Sequence, residues 1–419
     1  MKFGRYTDAF KPKEKLDLWY KAENLFKEKK YLESYKTFFE YIRDDKEDNV
    51  HFDYSDSKID FGFYQGSKII KGTADNDYVK AEVNIAEFEK PGVSFMRRLL
   101  ELNYQYYYSK YSFVENFICL RFTSKTFDCS PNKLYYALKE VALNADLQDD
   151  SLIEDFKMLK PITVNNVIEF PPDDKEVRYK YLHKWIIEAL NVIKELNPTQ
   201  YSGGITFILL NLIYKIDYLI IPQGILLHTL EKINRIYYAN DNNSFEKKNG
   251  LMIAEFEKIL EKPKEDIFKD LYDVRSTFPL VAPVGHQEVQ NLIKGEIEKT
   301  YWYRDNRRLD IATQILEFIP TKSFFSYGLP LATRLLFHIF MIVNNEDYFR
   351  EIGIDKSYYN VGKNEFNKDL LIKDIDEVIE SNKSQFPNLK FDTSSLKYDS
   401  LYDFMISYLM EVSNLDYRT

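Results

Sequence analysis

The spacing of apolar residues changes period twice along the chain, and each change marks a different kind of element. Over residues 13–44, Leu16, Trp19, Tyr20, Ala22, Leu25, Phe26 and Tyr31 recur at helical spacing, as do Tyr35, Phe38, Phe39 and Ile42. This predicts a helical pair or one long helix. Ala22, Tyr31, Ser34 and Phe38 stand at the offsets of a tetratricopeptide hairpin, whose small residues let two helices approach closely. No second copy follows, so the expectation is a helix or hairpin docked on the sheet that comes next.

From Val50 the period becomes two. Ile59, Phe61 and Phe63 alternate with Asp60 and Gly62, and Val79, Ala81, Val83 and Ile85 alternate with Lys80, Glu82 and Asn84. Gln65-Gly66-Ser67 and Ala74-Asp75-Asn76-Asp77 are the turns. This reads as an antiparallel meander with one buried and one wet face. After Pro91-Gly92 a helix is predicted over 93–109, with Phe95, Met96, Leu99, Leu100, Asn103 and Tyr106 on one stripe. Asn103 is the polar member, expected as a buried amide tying helix to sheet. Strands over 111–115 and 117–123 pair across Asn116, and Ser130-Pro131 opens a closing helix striped by Leu134, Leu138, Val141, Ala142 and Ala145.

The order of these elements, with Met96-Arg-Arg-Leu-Leu-Glu-Leu-Asn103, the Phe113 to Phe122 hairpin and the helix ending Ala145-Asp146, resembles type III secretion chaperones and the YbjN-type proteins that share their fold. The resemblance covers about 13–155. It implies a non-enzymatic module that often dimerises and holds other polypeptides, and it brings no catalytic residues. The rest of the chain lies outside it.

Residues 156–176 contain Pro161, Pro171 and Pro172 and little period, so they read as a linker. Helices are then predicted at 175–196, 204–219, 222–240, 244–261, 264–274, 286–300, 304–318 and 328–344, broken at Pro222, Pro263 and Pro320 among others. Two more follow near 364–381 and 398–415. The predicted fold is α+β: an N-terminal antiparallel five-stranded sheet with flanking helices (α-βββ-α-ββ-α), then an all-α region that is an irregular bundle or solenoid-like. The domain division is 1–158, a linker at 159–176, and 177–419.

At 419 residues, two or three domains are expected. A formal charge of −9 argues against nucleic acid as the main ligand, because phosphate binding draws on clustered positive charge. Cys119 and Cys129 offer no disulfide framework. The first residues lack the apolar core of a signal peptide. The apolar runs 205–222 and 329–343 carry Lys215, Asp217, Arg334 and His338, so they read as buried helices and not membrane spans. The default compartment is the cytoplasm.

The five histidines (51, 183, 228, 286 and 338) show no zinc spacing, and no metal or cofactor is expected. His286-Gln-Glu288 places a base near a carboxylate at a helix start, where a solvated helix end is the plainer reading. The densest aromatic and basic cluster is Tyr301, Trp302, Arg304, Arg307 and Arg308. On a continuous helix these arginines would share a face and could grip a phosphate or carboxylate. No catalytic residue is nominated. The leading expectation is a protein-interaction or chaperone-like module binding another polypeptide, with a homodimer compatible with the resemblance. The alternatives are a hydrolase with its site between C-terminal helices, and a nucleotide or nucleic-acid binder using Arg304, Arg307 and Arg308.

Overall fold

The computed structural model describes residues 2–90, 92–162 and 167–418, with backbone only at 148–151 and 154. The chain forms two compact units. One is Tyr6–Glu169 with Tyr272–Leu280, and the other is Met1–Arg5 with Phe170–Leu271 and Val281–Thr419. Part of the span read as a linker, 163–166, lies outside the described residues. Another part, Leu159–Pro161, is a strand of the sheet.

The α+β unit begins with a helical hairpin, α1 (Lys13–Lys27) and α2 (Tyr31–Ile42). Lys29 turns the chain with φ 62°. Ala22 is fully buried at the crossing, and Ser34 Oγ donates to its carbonyl at 2.7 Å, so the small residues do permit the close approach. The sheet follows as β1 (Val50–Tyr54), β2 (Lys58–Gly66), β3 (Lys68–Asp75) and β4 (Tyr78–Phe88). Next come α3 (Val93–Gln105), β5 (Ser109–Val114), β6 (Phe117–Lys125) and α4 (Pro131–Asp155). The strands are antiparallel in the order β1-β2-β3-β4-β6-β5. All five expected strands are present, and β1 adds a sixth at one edge. Ser130 caps α4 by accepting from the Lys133 amide, with Pro131 in the first turn.

Side chains alternate as the period requires. Ile59, Phe63, Ile70, Val79, Val83, Ile85, Leu120 and Phe122 are buried together with Leu134, Leu138, Val141 and Ala145 of α4. Each such large apolar side chain contributes about 1.5–3 kcal/mol when fully buried. Phe61 stands opposite Gly72, and a Cβ there would lie 2.2 Å from its ring, so the glycine is what lets the ring cross the neighbouring strand.

Two further strands, β7 (Leu159–Pro161) and β10 (Arg275–Ser276), extend this sheet. The strand β7 pairs with β4, while β8 (Ile168–Glu169) and β9 (Tyr272–Asp273) form a separate two-strand ribbon. Just beyond, β10 adds to β2 beside Gln65 and Gly66. The predicted helix over 264–274 therefore stops at Lys269, because the chain that follows is recruited as sheet. Gln65 is 2% exposed and holds this returning segment. Its Oε1 accepts from the Thr277 and Phe278 amides at 3.2 and 3.0 Å, and its Nε2 donates to the Phe278 carbonyl at 3.3 Å. The Phe278 ring then packs against Phe63 and Tyr135.

The second unit is helical: α5 (Pro172–Lys194), α6 (Ser202–Leu219), α7 (Gly224–Tyr238), α8 (Phe245–Glu261) and α9 (Lys264–Lys269). It continues with α10 (His286–Asp305), α11 (Leu309–Ser326), α12 (Leu331–Asn344) and α13 (Glu346–Glu351). A two-strand ribbon, β11 (Tyr359–Asn360) with β12 (Glu365–Phe366), precedes α14 (Lys368–Asn382) and α15 (Leu401–Ser413). The helix α6 is buried on nearly every side and packs on α5, α7, α8 and α11, which makes an irregular bundle. Its C-terminal end is closed by the buried Arg178, whose Nη1 donates to the Leu219 and Ile220 carbonyls at 2.9 and 2.7 Å. Pro320, expected as a break, lies inside α11, whose two-sided burial outweighs the lost backbone bond. Among the described residues no helix is long and apolar enough to cross a membrane.

Candidate functional site

The α3 helix of the α+β unit carries two apolar stripes on opposite sides. Phe95, Leu99 and Leu102, with Tyr106 just beyond, are buried on the sheet. Val93, Met96, Leu100 and Tyr104 recur at i, i+3, i+7 and i+11 and face outward, with Leu100 66% and Tyr104 93% exposed. Met96 and Leu100 thus leave the single stripe expected from the sequence. Tyr107, 90% exposed, continues the outer stripe, and Phe113 and Val114 are exposed on β5, which α3 packs beside. The outer spacing is present in the sequence but is not distinguished there, because Met96 and Leu100 also fit the inner stripe.

Polar groups hold this face in shape. The Asn103 amide binds both backbone groups of Tyr111, accepting from its N–H at 2.6 Å and donating to its carbonyl at 3.3 Å. It acts as one rung of a missing neighbour strand on the outer edge of β5. This is the helix-to-sheet tie expected of that residue, and it also blocks strand addition at that rung. Glu140 of α4 accepts from the amides of Tyr107, Tyr108 and Ser109 at 2.7–2.9 Å, fixing the turn that displays Tyr107.

The wet face of the sheet is different in kind. His51, Gly62, Lys71, Glu82, Arg121 and Lys110 form one cross-strand row, and a shallow hollow of about 790 Å³ lies over its middle. Glu82 stands between Lys71 and Arg121 in this row, with Arg121 on Glu82 at 3.0 Å. Such a face is readily solvated.

In the helical unit, Trp185, Ile208, Asn211, Lys215 and Gln314 line a cavity of about 180 Å³. Beneath it Glu317, 4% exposed, accepts from Asn345 at 2.8 Å and pairs with Lys215 at 3.1 Å through Oε1, and accepts from Asn211 at 2.8 Å through Oε2. Asn211 in turn accepts from Thr321 at 2.9 Å. This network joins α6 to α11 and α12.

The residues singled out in the sequence come together only in part. The helix α10 ends at Asp305, so Arg304, Arg307 and Arg308 do not share one helical face. Arg304 pairs with Asp305 at 2.8 Å, Arg308 binds Asp310, and Arg307 sits at φ 60° in the turn. Tyr301 and Trp302 are half exposed, with Arg304 over the Tyr301 ring at 5.0 Å. The cluster is a helix–helix turn in which two of the three arginines meet a neighbouring acid.

His286 Nε2 lies 3.3 Å from the Ser413 carbonyl, and burial lowers its pKa. Both cysteines are free and buried. Burial pushes the Cys129 thiol up to about 12 and raises Cys119 as well, so neither offers a thiolate. Among the described residues no group of three or more His, Cys, Asp and Glu is placed to hold a metal ion. No protein-family model and no curated protein matches this chain.

Proposed function

We propose that this chain is a non-enzymatic interaction module that binds another polypeptide, and that the outer stripe of α3 is where the partner docks. The observation that carries the reading is the second apolar stripe, Val93, Met96, Leu100 and Tyr104, held open to solvent on a helix whose other side is already buried. Covering one such side chain contributes about 1.5–3 kcal/mol, so several together can offset the cost of association. With Asn103 plugging the β5 edge, the fitting partner presents an amphipathic helix or a second copy of the same face. The resemblance to type III secretion chaperones and YbjN-type proteins points the same way. A hydrolase between the helices has less to stand on, because Glu317 and Lys215 pair with each other and Glu317 also accepts from Asn211 and Asn345. A nucleic-acid role would need one continuous basic face, whereas Arg304 and Arg308 meet neighbouring acids.

The test is Leu100→Glu with Tyr104→Ser in the full chain. Both residues are exposed, so the melting temperature stays unchanged while the partner, or the dimer seen by light scattering, is lost. Capture from native cell extract, quantified by mass spectrometry, returns a polypeptide at fixed ratio with the unmodified chain only. Equal recovery from both chains removes the α3 surface from the proposal. A monomer with no partner at all removes the function.

A further inference from the structure

The segment Phe3–Arg5 is bound by the helical unit residue by residue, in the way a receptor grips a linear peptide. Phe3 is 8% exposed, and its ring lies 5.2 Å from both the His338 and Phe349 rings. Gly4 donates to the Tyr218 carbonyl at 2.8 Å. It adopts φ +67°, and a Cβ there would stand 2.6 Å from the Tyr218 ring, so both conformation and space demand glycine. Arg5 donates through Nε and Nη2 to Asp217 at 3.1 and 2.9 Å, reaches Glu231 at 3.5 Å and lies 4.1 Å over the Phe325 ring. Arg334 clamps the backbone, donating to the Phe3 and Arg5 carbonyls at 3.2 and 3.4 Å.

The walls of this socket are braced without the segment. Tyr218 stacks on Phe324 at 3.9 Å and donates to or accepts from His338 Nδ1 at 2.8 Å, and His338 packs edge-on against Phe349. Asp217 is 5% exposed, and Arg5 is the cation it pairs with, so an empty socket would hold a buried carboxylate seeking a cation. An aromatic pocket, a glycine-only backbone slot and a buried acid in sequence form a three-position code.

We propose that this socket is a peptide-recognition site for segments of the form Phe-Gly-Arg, filled in this structure by the chain's own residues 3–5 as a displaceable ligand. The inference does not rest on the α3 surface. A second chain presenting the same tripeptide competes for it, and a cation is required at the third position.

The test uses the full chain carrying Phe3→Ala and Arg5→Ala, with fluorescently labelled acetyl-Lys-Phe-Gly-Arg-amide as the probe, read by anisotropy. The peptide binds this variant at least about tenfold tighter than it binds the unmodified chain, and at least about tenfold tighter than a peptide with Ala in place of Gly. Adding Asp217→Asn abolishes the difference. Binding that is absent, or equal for the Gly and Ala peptides, overturns the proposal. Should the double variant not fold, hydrogen exchange on the unmodified chain decides. A displaceable ligand lets the Gly4 amide exchange at least about tenfold faster than amides in the middle of α6, whereas equal protection makes the segment ordinary core and overturns the proposal.

Discussion

Gln65→Leu probes how the chain returns to its sheet. Leucine keeps the approximate volume and removes every side-chain hydrogen bond that Gln65 makes to the segment Tyr272–Leu280: two accepted amides, Thr277 and Phe278, and one donated bond to the Phe278 carbonyl. Thr277 and Phe278 are each 1% exposed, so water cannot replace the lost partner while the segment stays docked. An orphaned buried polar group costs about 1–3 kcal/mol, and three are created. Peeling the segment into solvent relieves all three. It gives up the pairing of β10 with β2, the Asn49 bond to the Ser276 carbonyl at 3.4 Å, the Thr277 Oγ1 bond to the Tyr64 carbonyl at 2.8 Å and the packing of Phe278 on Phe63 and Tyr135, all of which the unmodified chain gives up on opening as well. At the low end, about 3 kcal/mol, the opening equilibrium shifts by roughly a hundredfold. Hydrogen exchange followed by mass spectrometry reads this directly. Peptides covering 272–280 exchange about a hundredfold faster in the variant, while peptides from β4 and β6 keep their protection. Gln65→Glu retains the acceptor and shows a smaller effect. Protection of 272–280 within about threefold of the unmodified chain would refute the claim that Gln65 holds the segment.

Three further outcomes are expected. Asn103→Leu leaves both backbone groups of Tyr111 unpaired, lowering stability by about 1–3 kcal/mol in urea titration, and warming produces light scattering as the β5 edge opens; an unchanged midpoint and clear solution would contradict this. Gly66→Ala introduces a Cβ 1.7 Å from Asp146 Oδ1 at φ +56°, costing about 1–2 kcal/mol of backbone strain plus the Asp146 bond to the Ser67 amide, read as a fall in melting temperature; a neutral substitution would mean the turn is not held as described. Burial, with Arg334 and Lys356 nearby, pulls the His338 imidazole from 6.5 down to about 4, so its contribution is complete above pH 6.5 and is lost as pH falls towards 4. The Asp270 carboxyl, raised by burial to about 6, opposes this by favouring the folded state as pH falls from 6 towards 3.8. His338→Gln isolates its own share: the difference in urea midpoint between pH 7 and pH 4.5 shrinks relative to the unmodified chain, and an unaltered difference rejects the assignment.

What the sequence alone determined is whatever depends on neighbours within a few residues. The period-two runs at Ile59–Phe63 and Val79–Ile85 are strands because alternation presents one apolar face to a core, and Ser130-Pro131 starts a helix because its oxygen and fixed φ suit the first turn. The Ala22–Ser34 contact and the role of Asn103 were also legible, since a small residue or an amide on an apolar stripe has few other uses. Only the tertiary structure decided the features that join distant stretches. Tyr272–Leu280 is not helix because Tyr272–Asp273 and Arg275–Ser276 pair as strands and Gln65, far away in the chain, holds Thr277 and Phe278 by three bonds. Pro320 remains within a helix because burial on both sides of α11 outweighs one missing backbone bond. The α3 stripes divided because β5 and the sheet cover only one side of that helix, and a hydrophobic pattern records which positions can be buried without recording which partners are present to bury them.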